Sequence, residues 1–341
     1  MVTYLRYVKM LKENFKDFFE TLKKLGEVHA PVRRGRLFSF TKVDSPGEVA
    51  LNYNRTMLPP KKYFVKPFEE VLKIKVGKGY ELIVEEPKSL VLLGLHACDI
   101  NALRVLDSVY LDEPQDDYYQ VRRAAAIVIG VSCEPDEYCF CKSMGTDYAW
   151  TGFDLFLHEL GTSYLVRVGS SRGESIIESM SNIIGEPTKE DFIKLRDLEL
   201  KRSRMFKKIL NTSLLPDIVD SLHESEVWVV FSDKCVSCGS CNLVCPTCRC
   251  YDVTEKVELN LQEGVRVRRW DSCFIRSHAL VAGGLNFRPT RLDRFRHRYN
   301  CKSSIDPRTN LPFCVGCGRC SAFCPAGIDH VNVLNAIWGL A

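Results

Sequence analysis

The sequence predicts an α+β chain in two parts: an N-terminal α/β domain over 1–225 built on a parallel βαβ unit, then a helical, cysteine-rich domain over 226–341. Three observations carry this division. Two short apolar runs, 89–95 (SLVLLGL) and 125–131 (AAIVIGV), have the continuous hydrophobicity of strands buried on both faces. Between them 99–110 (DINALRVLDSVY) has helical periodicity, and a helix joining two neighbouring strands makes them parallel. Beyond Lys234 the strand signal fades and most of the 16 cysteines appear. A chain of 341 residues accommodates two domains with a sizeable core.

Taken in chain order, Leu5, Val8, Leu11, Phe15, Phe18, Phe19, Leu22 and Leu25 recur at helical spacing and predict one amphipathic helix packed on the first domain. After the βαβ unit, 164–168 reads as a further strand and 174–184 as a helix. The charged, leucine-containing and glycine-free stretch 190–215 predicts a long connecting helix. In the second domain, 277–282 and 292–299 have helical character. The first 25 residues are charged throughout and contain no apolar signal core, and no run of 18 apolar residues occurs. The expectation is a cytoplasmic protein that does not enter a membrane, with its thiols in a reducing compartment.

Composition narrows the function classes. The 47 basic and 43 acidic side chains give a formal charge of +4, too small for bulk nucleic-acid binding. Sixteen cysteines fall short of a disulfide scaffold, and a chain this long needs no staples for want of a core. Metal ligation is the remaining reason for so many.

The spacing says which metal. Cys235, Cys238, Cys241 and Cys245, followed by Pro246, form C-x2-C-x2-C-x3-C-P; Cys314, Cys317, Cys320, Cys324 and Pro325 repeat it. This run ligates cubane iron–sulfur clusters, the fourth cysteine reaching the other cluster in two-cluster ferredoxins. Cluster one is expected on Cys235, Cys238, Cys241 and Cys324, and cluster two on Cys314, Cys317, Cys320 and Cys245. Zinc sites more often pair two C-x2-C knuckles and lack the third cysteine and the proline. The long insert 246–313 makes this a helical ferredoxin domain rather than a minimal one.

A second constellation lies at the strand ends. Cys98 follows the first predicted strand and Cys133 the second, so both emerge at the edge where α/β sheets collect ligands. The following loop brings Cys139 and Cys141 over that edge. Four thiolates there could hold a third [4Fe–4S] cluster; zinc, or reduced structural thiols, are the other readings. His96 reads as a hydrogen-bonding or core residue rather than a ligand. Cys248, Cys250, Cys273 and Cys301 have no diagnostic spacing, and packing near the clusters is the plain reading for the first two.

Nine arginines (266, 268, 269, 276, 288, 291, 294, 296 and 298) lie between the motifs, opposed by Asp271 and Asp293. Without a recognisable module or aromatic platform they do not make a nucleic-acid surface. They suit compensation of anionic clusters or the docking of an acidic subunit. Each oxidised cluster with four thiolates carries about −2, so three turn the formal +4 into about −2. No dinucleotide fingerprint follows a strand, and no P-loop, nucleophile elbow or H-E-x-x-H occurs. No catalytic residues are therefore assigned, and the expectation is a subunit that moves electrons without a substrate-converting site.

The combination of LGLHACD (93–99), CFCKSMG (139–145), both ferredoxin motifs, RVRRWDSC (266–273) and AGGLNFRP (282–289) resembles a particular family. It looks like the beta subunit of cytosolic [NiFe] sulfhydrogenases of anaerobic archaea, a family shared with an electron-transfer component of anaerobic sulfite reductase. The resemblance covers most of the chain and implies a helical ferredoxin domain within an NADP(H)-linked hydrogenase of four subunits. This chain would then relay single electrons between two partners: a flavin subunit holding FAD and binding NADP, and the hydrogenase small subunit, which with the large subunit leads to nickel–iron. The alternatives are the sulfite reductase component itself, with sulfite as final acceptor at a sirohaem partner, and a free ferredoxin-like carrier.

Overall fold

A computed structural model describes residues 6–84, 86 and 88–339. Twelve strands are present: β1 (Arg6–Leu11), β2 (Glu27–Arg34), β3 (Leu37–Lys42), β4 (Phe68–Lys75), β5 (Gly79–Leu82), β6 (Leu90–Leu95), β7 (Ala126–Val131), β8 (Leu155–Glu159), β9 (Ser163–Val168), β10 (Ile184–Gly185), β11 (Tyr251–Val257) and β12 (Glu263–Trp270). Eight form one mixed sheet in the order β10-β1-β9-β8-β7-β6-β2-β3. Its centre is parallel: β6 pairs with β2 on one side and β7 on the other, and β7 pairs with β8.

The two apolar runs read as buried strands are β6 and β7, and every residue of β7 is buried. Helix α2 (Ala97–Tyr110) connects them, followed by α3 (Asp117–Ala125), whose N-terminus is capped by the Asp116 carboxylate. Strand β9 covers the predicted 164–168. The predicted helix at 174–184 is the shorter α4 (Ser171–Glu178), after which the chain turns into β10.

Two expectations change. The amphipathic helix predicted from Leu5 begins only at α1 (Phe15–Leu25); Leu5 lies outside the described residues, and 6–11 are strand β1. Val8 and Met10 point into the core with period two, and the helical phase of Val8 and Leu11 is coincidental. Pairing with β9 along the whole strand decides the conformation, because it satisfies the backbone of 6–11 within the sheet. The helix predicted over 190–215 stops at α5 (Lys189–Arg204); 205–212 has no regular structure, and Leu215 opens α6 (Leu215–Ser221).

The cysteine-rich part contains α7 (Glu226–Lys234), α8 (Ser240–Leu243), α9 (Arg291–Ser303), α10 (Arg319–Ala322) and α11 (His330–Ile337). Helix α9 accounts for the predicted 292–299, whereas 277–282 shortens to a 3-10 turn at Arg276–Ala279. Between the motifs a hairpin, β11–β12, is also present. It pairs with β4–β5 to make a second, antiparallel sheet whose strands come from both ends of the chain. Buried Arg268 on β12 binds Glu69 on β4 at 2.7 Å and also Asp116, fastening the hairpin to the first region. A second apolar core beneath the motifs packs Trp228, Phe274, Phe295 and Tyr299 with Val331, Val333 and Leu334.

Candidate metal centres

Each ferredoxin motif folds as a tight loop running into a single helical turn, α8 or α10. Two positions in each loop take left-handed backbone: Ser237 and Gly239 in the first (φ 53° and 75°), and Gly316 and Gly318 in the second (φ 61° and 70°). These turns aim amides at sulfur. The Ser237 N–H donates to Cys235 Sγ at 3.4 Å and the Ile328 N–H to Cys324 Sγ at 3.3 Å. The Gly316 and Arg319 amides do the same for Cys314 and Cys317.

One cavity is lined by Cys235, Cys238, Cys241 and Cys324, the set expected for cluster one. A second is lined by Cys245, Cys314, Cys317 and Cys320, the set expected for cluster two. The fourth cysteine of each motif therefore faces the cavity of the other. Arg298 and Cys320 line both cavities, so the two sites adjoin. Among the described residues no three His, Cys, Asp or Glu side chains close on a single metal-ion position. The thiols instead surround spaces, as a multi-iron cluster requires.

Burial governs the electrostatics. It pushes the Cys241 thiol up to about 11 and Cys314 to about 12. Such thiols release their protons only when positive charge arrives, which bound iron supplies. Protein cations prepare the site. Arg298 is buried with its guanidinium 3.5 Å from Cys248 Sγ and 3.1 Å from Asn242 Oδ1. Lys302 donates to Thr247 Oγ1 at 3.1 Å; burial works against its charge, but Cys245 and Cys248 outweigh it and raise its pKa. Lys61, from the first region, donates to the Cys248 carbonyl at 2.9 Å. Hydrogen bonding from Cys248, with these cations around it, holds Cys245 well below the ordinary thiol range.

The third constellation also assembles. Cys98 lies in the first turn of α2 and Cys133 just past β7, at the same edge of the parallel strands. Residues 134–141 return over that edge, and the Phe140 N–H donates to the Gly316 carbonyl at 2.9 Å. Cys98, Cys139 and Cys141 are buried and Cys133 is half-buried. Cys141 interacts electrostatically with Cys133 and Cys139, and Cys98 with Cys141 and Cys317. Burial raises all four thiols, Cys133 to about 11 and Cys139 to about 12. The Arg55 guanidinium stands 3.5 Å from Cys139 Sγ. A cavity of about 220 Å3, lined in part by Tyr53, Cys133, Lys201 and Arg202, opens beside Cys133. His96 is buried and stacked on Tyr53 at 4.0 Å, the core position expected of it.

The second ferredoxin loop is pressed onto this third group. A Cβ on Gly316 would stand 2.6 Å from Cys141 Cα, and one on Gly318 would stand 2.4 Å from the Tyr138 carbonyl oxygen. Arg319, 1% exposed, forks onto Asp99 at 2.6 and 3.0 Å and donates to the Thr56 carbonyl at 2.8 Å. Of the nine arginines, Arg298 faces the thiols most directly. Arg266, Arg269 and Arg296 are occupied with Glu255, Asp252 and Glu224.

The fold and the cysteine geometry define an iron–sulfur protein of the two-cluster ferredoxin class, and residues 234–328 match the family model of the 4Fe-4S dicluster domain. The whole chain is similar to the sulfhydrogenase 2 subunit beta of Pyrococcus furiosus, 50% identical over 333 residues that cover 98% of each protein. At that identity and coverage, the chain belongs to the family of sulfhydrogenase beta subunits. No solved structure matches it. No helix among the described residues is long and apolar enough to cross a membrane.

Proposed function

We propose that this chain is the electron relay of a soluble, cytoplasmic NADP(H)-linked [NiFe] hydrogenase, carrying single electrons between a flavin subunit and the hydrogenase small subunit. Cluster one is held by Cys235, Cys238, Cys241 and Cys324, and cluster two by Cys314, Cys317, Cys320 and Cys245. Cys98, Cys133, Cys139 and Cys141 hold a third. Bound [4Fe–4S] clusters supply one-electron, outer-sphere redox chemistry.

The protein's own task is to fix the thiolates, exclude water and set potential. Amides directed at sulfur and the buried cations Arg298, Lys302 and Arg55 favour the more negative, reduced state. No proton-transfer group is required, and FAD, NADP and nickel–iron belong to partner subunits. The observation that carries the reading is the continuity of the three thiol groups: Cys98, Cys141, Val315 and Cys317 pack in one cluster, while Cys320 lines the cavities of both ferredoxin sites. A sulfite reductase component or a free carrier would share these centres but not the partners.

Native anaerobic purification tests the assignment. The chain should co-purify with flavin- and nickel-containing subunits, and its clusters should be reduced by H2 or NADPH. Migration alone near its own 38.9 kDa, or co-purification with a sirohaem protein, would overturn it.

A further inference from the structure

Two cysteines outside the three thiol groups stand together at the base of the β11–β12 hairpin. Cys250 precedes β11 and Asp271 follows β12; the Asp271 N–H donates to the Cys250 carbonyl at 3.0 Å, which sets the two chain ends side by side. Cys273 lies two residues on, and its thiol is in hydrogen-bonding contact with that of Cys250. His278 completes the group: its Nδ1 is 2.6 Å from Asp271 Oδ2, and its imidazole also reaches the Cys250 thiol.

The two thiols are not equivalent. Cys273 is 4% exposed and receives a hydrogen bond from Asn242 Nδ2 at 3.0 Å, whereas Cys250 and His278 are only half-buried. An accessible thiol with an adjacent base, the base oriented by a carboxylate, is the arrangement of an activated nucleophile. A second thiol behind it is placed to resolve what the first one forms.

We propose that Cys250 and Cys273 form a redox-active dithiol that reduces small-molecule disulfides, with Cys250 as the attacking thiol, Cys273 as the resolving thiol, and His278 with Asp271 as base and orienting group. The Cys250 thiolate, its proton passed to His278, attacks one sulfur of the disulfide RSSR. A Cys250–SR bond forms, the S–S bond breaks, and the first RS− leaves with the proton from His278. Cys273 then attacks Cys250 Sγ, closing the Cys250–Cys273 disulfide and expelling the second RS−, which takes the Cys273 proton. The dithiol is oxidised by two electrons and RSSR is reduced to two RSH. Hydrogen bonding from Cys273 and His278 already holds the Cys250 thiol below its ordinary range.

The test uses the anaerobically purified holoprotein and bis(2-hydroxyethyl) disulfide. About two equivalents of mercaptoethanol should be released per chain, and peptide mapping after acid quench and alkylation should find Cys250 joined to Cys273, with iron content unchanged. Cys273→Ser should release about one equivalent and trap the mixed disulfide at Cys250. His278→Gln should slow the reaction at least about tenfold at neutral pH, with recovery at alkaline pH where the thiol ionises without a base. A first adduct at Cys273 or at a cluster cysteine would overturn the assignment. So would a wild-type chain with full iron that releases no thiol, or a pair that becomes reactive only after metal is removed. Iron measured on the same sample separates failure of this dithiol from loss of the clusters.

Discussion

Arg319 and Asp99 show how much a single buried pair can hold in place. The guanidinium sits on the turn carrying Cys317 and Cys320, and the carboxylate sits beside Cys98, so one fork joins the second ferredoxin loop to the end of the parallel sheet. Replacing Arg319 with Met leaves a buried carboxylate unpaired and should destabilise the holoprotein by about 3–5 kcal/mol. Replacing both partners, as Asp99→Leu with Arg319→Met, should recover much of that loss, read from denaturant unfolding followed at the cluster absorbance. Arg298 acts on charge rather than on assembly. It lines both ferredoxin cavities, so Arg298→Met removes a cation that favours the reduced state. Redox titration followed by electron paramagnetic resonance should find a ferredoxin-type potential more negative by on the order of 60 mV, a tenfold change in a one-electron equilibrium. An unchanged or more positive potential would remove Arg298 from this role.

At the scale of the elements, the two ferredoxin loops are copies under different constraints. Gly316 takes its left-handed conformation against Cys141, whereas Ser237 occupies the corresponding place in the first loop with φ 53°. Gly316→Val should therefore pry the second loop from 139–141 and lower bound iron, while Ser237→Gly should keep all iron and relieve about 1 kcal/mol of backbone strain, measured by iron content and unfolding midpoint. The seam between β1 and α5 carries a pH dependence. Burial pushes the Asp191 carboxyl up, but hydrogen bonds from Lys9 and Thr188 outweigh it and leave its pKa below the ordinary value. A depressed carboxyl contributes stability above its unfolded pKa and loses it as pH falls through the folded one. Asp191→Asn should thus lower the unfolding midpoint near neutrality and matter little in acid. These elements also mark what was legible in the sequence. Strands β6 and β7 announce themselves because burial on both faces leaves unbroken apolar runs. Hairpin β11–β12 does not, because Thr254, Glu255, Arg266 and Arg268 interrupt any apolar stripe and its stability comes from β4, far away in the chain. The twelve cysteines were readable from spacing and strand ends, whereas Lys61, Arg55 and Thr56 meet them only through tertiary contact.

Across the whole molecule, these contacts make a line of centres. Cluster one's cavity adjoins cluster two's through Cys320, and cluster two's loop packs through Val315 on Cys98 and Cys141. The third group opens beside Cys133 into a cavity with Lys201 and Arg202, while at the other end Cys238 is exposed. A relay needs this shape, with buried thiolates in the middle and an accessible edge at each end. Its two-ended form depends on metal in the third group, because zinc or free thiols there would leave a dicluster protein with one outlet. Anaerobically purified protein should therefore carry about 12 irons and a matching amount of acid-labile sulfide per chain, against about eight for two clusters alone. Cys139→Ala should remove about four irons and one reduced-cluster signal while both ferredoxin signals persist, because neither ferredoxin ligand set uses Cys139. Electron transfer from H2 to the flavin side should then stop, even though the two remaining clusters still reduce. Eight irons in the unmodified chain, or a Cys139→Ala protein that relays at full rate, would end the line at cluster two.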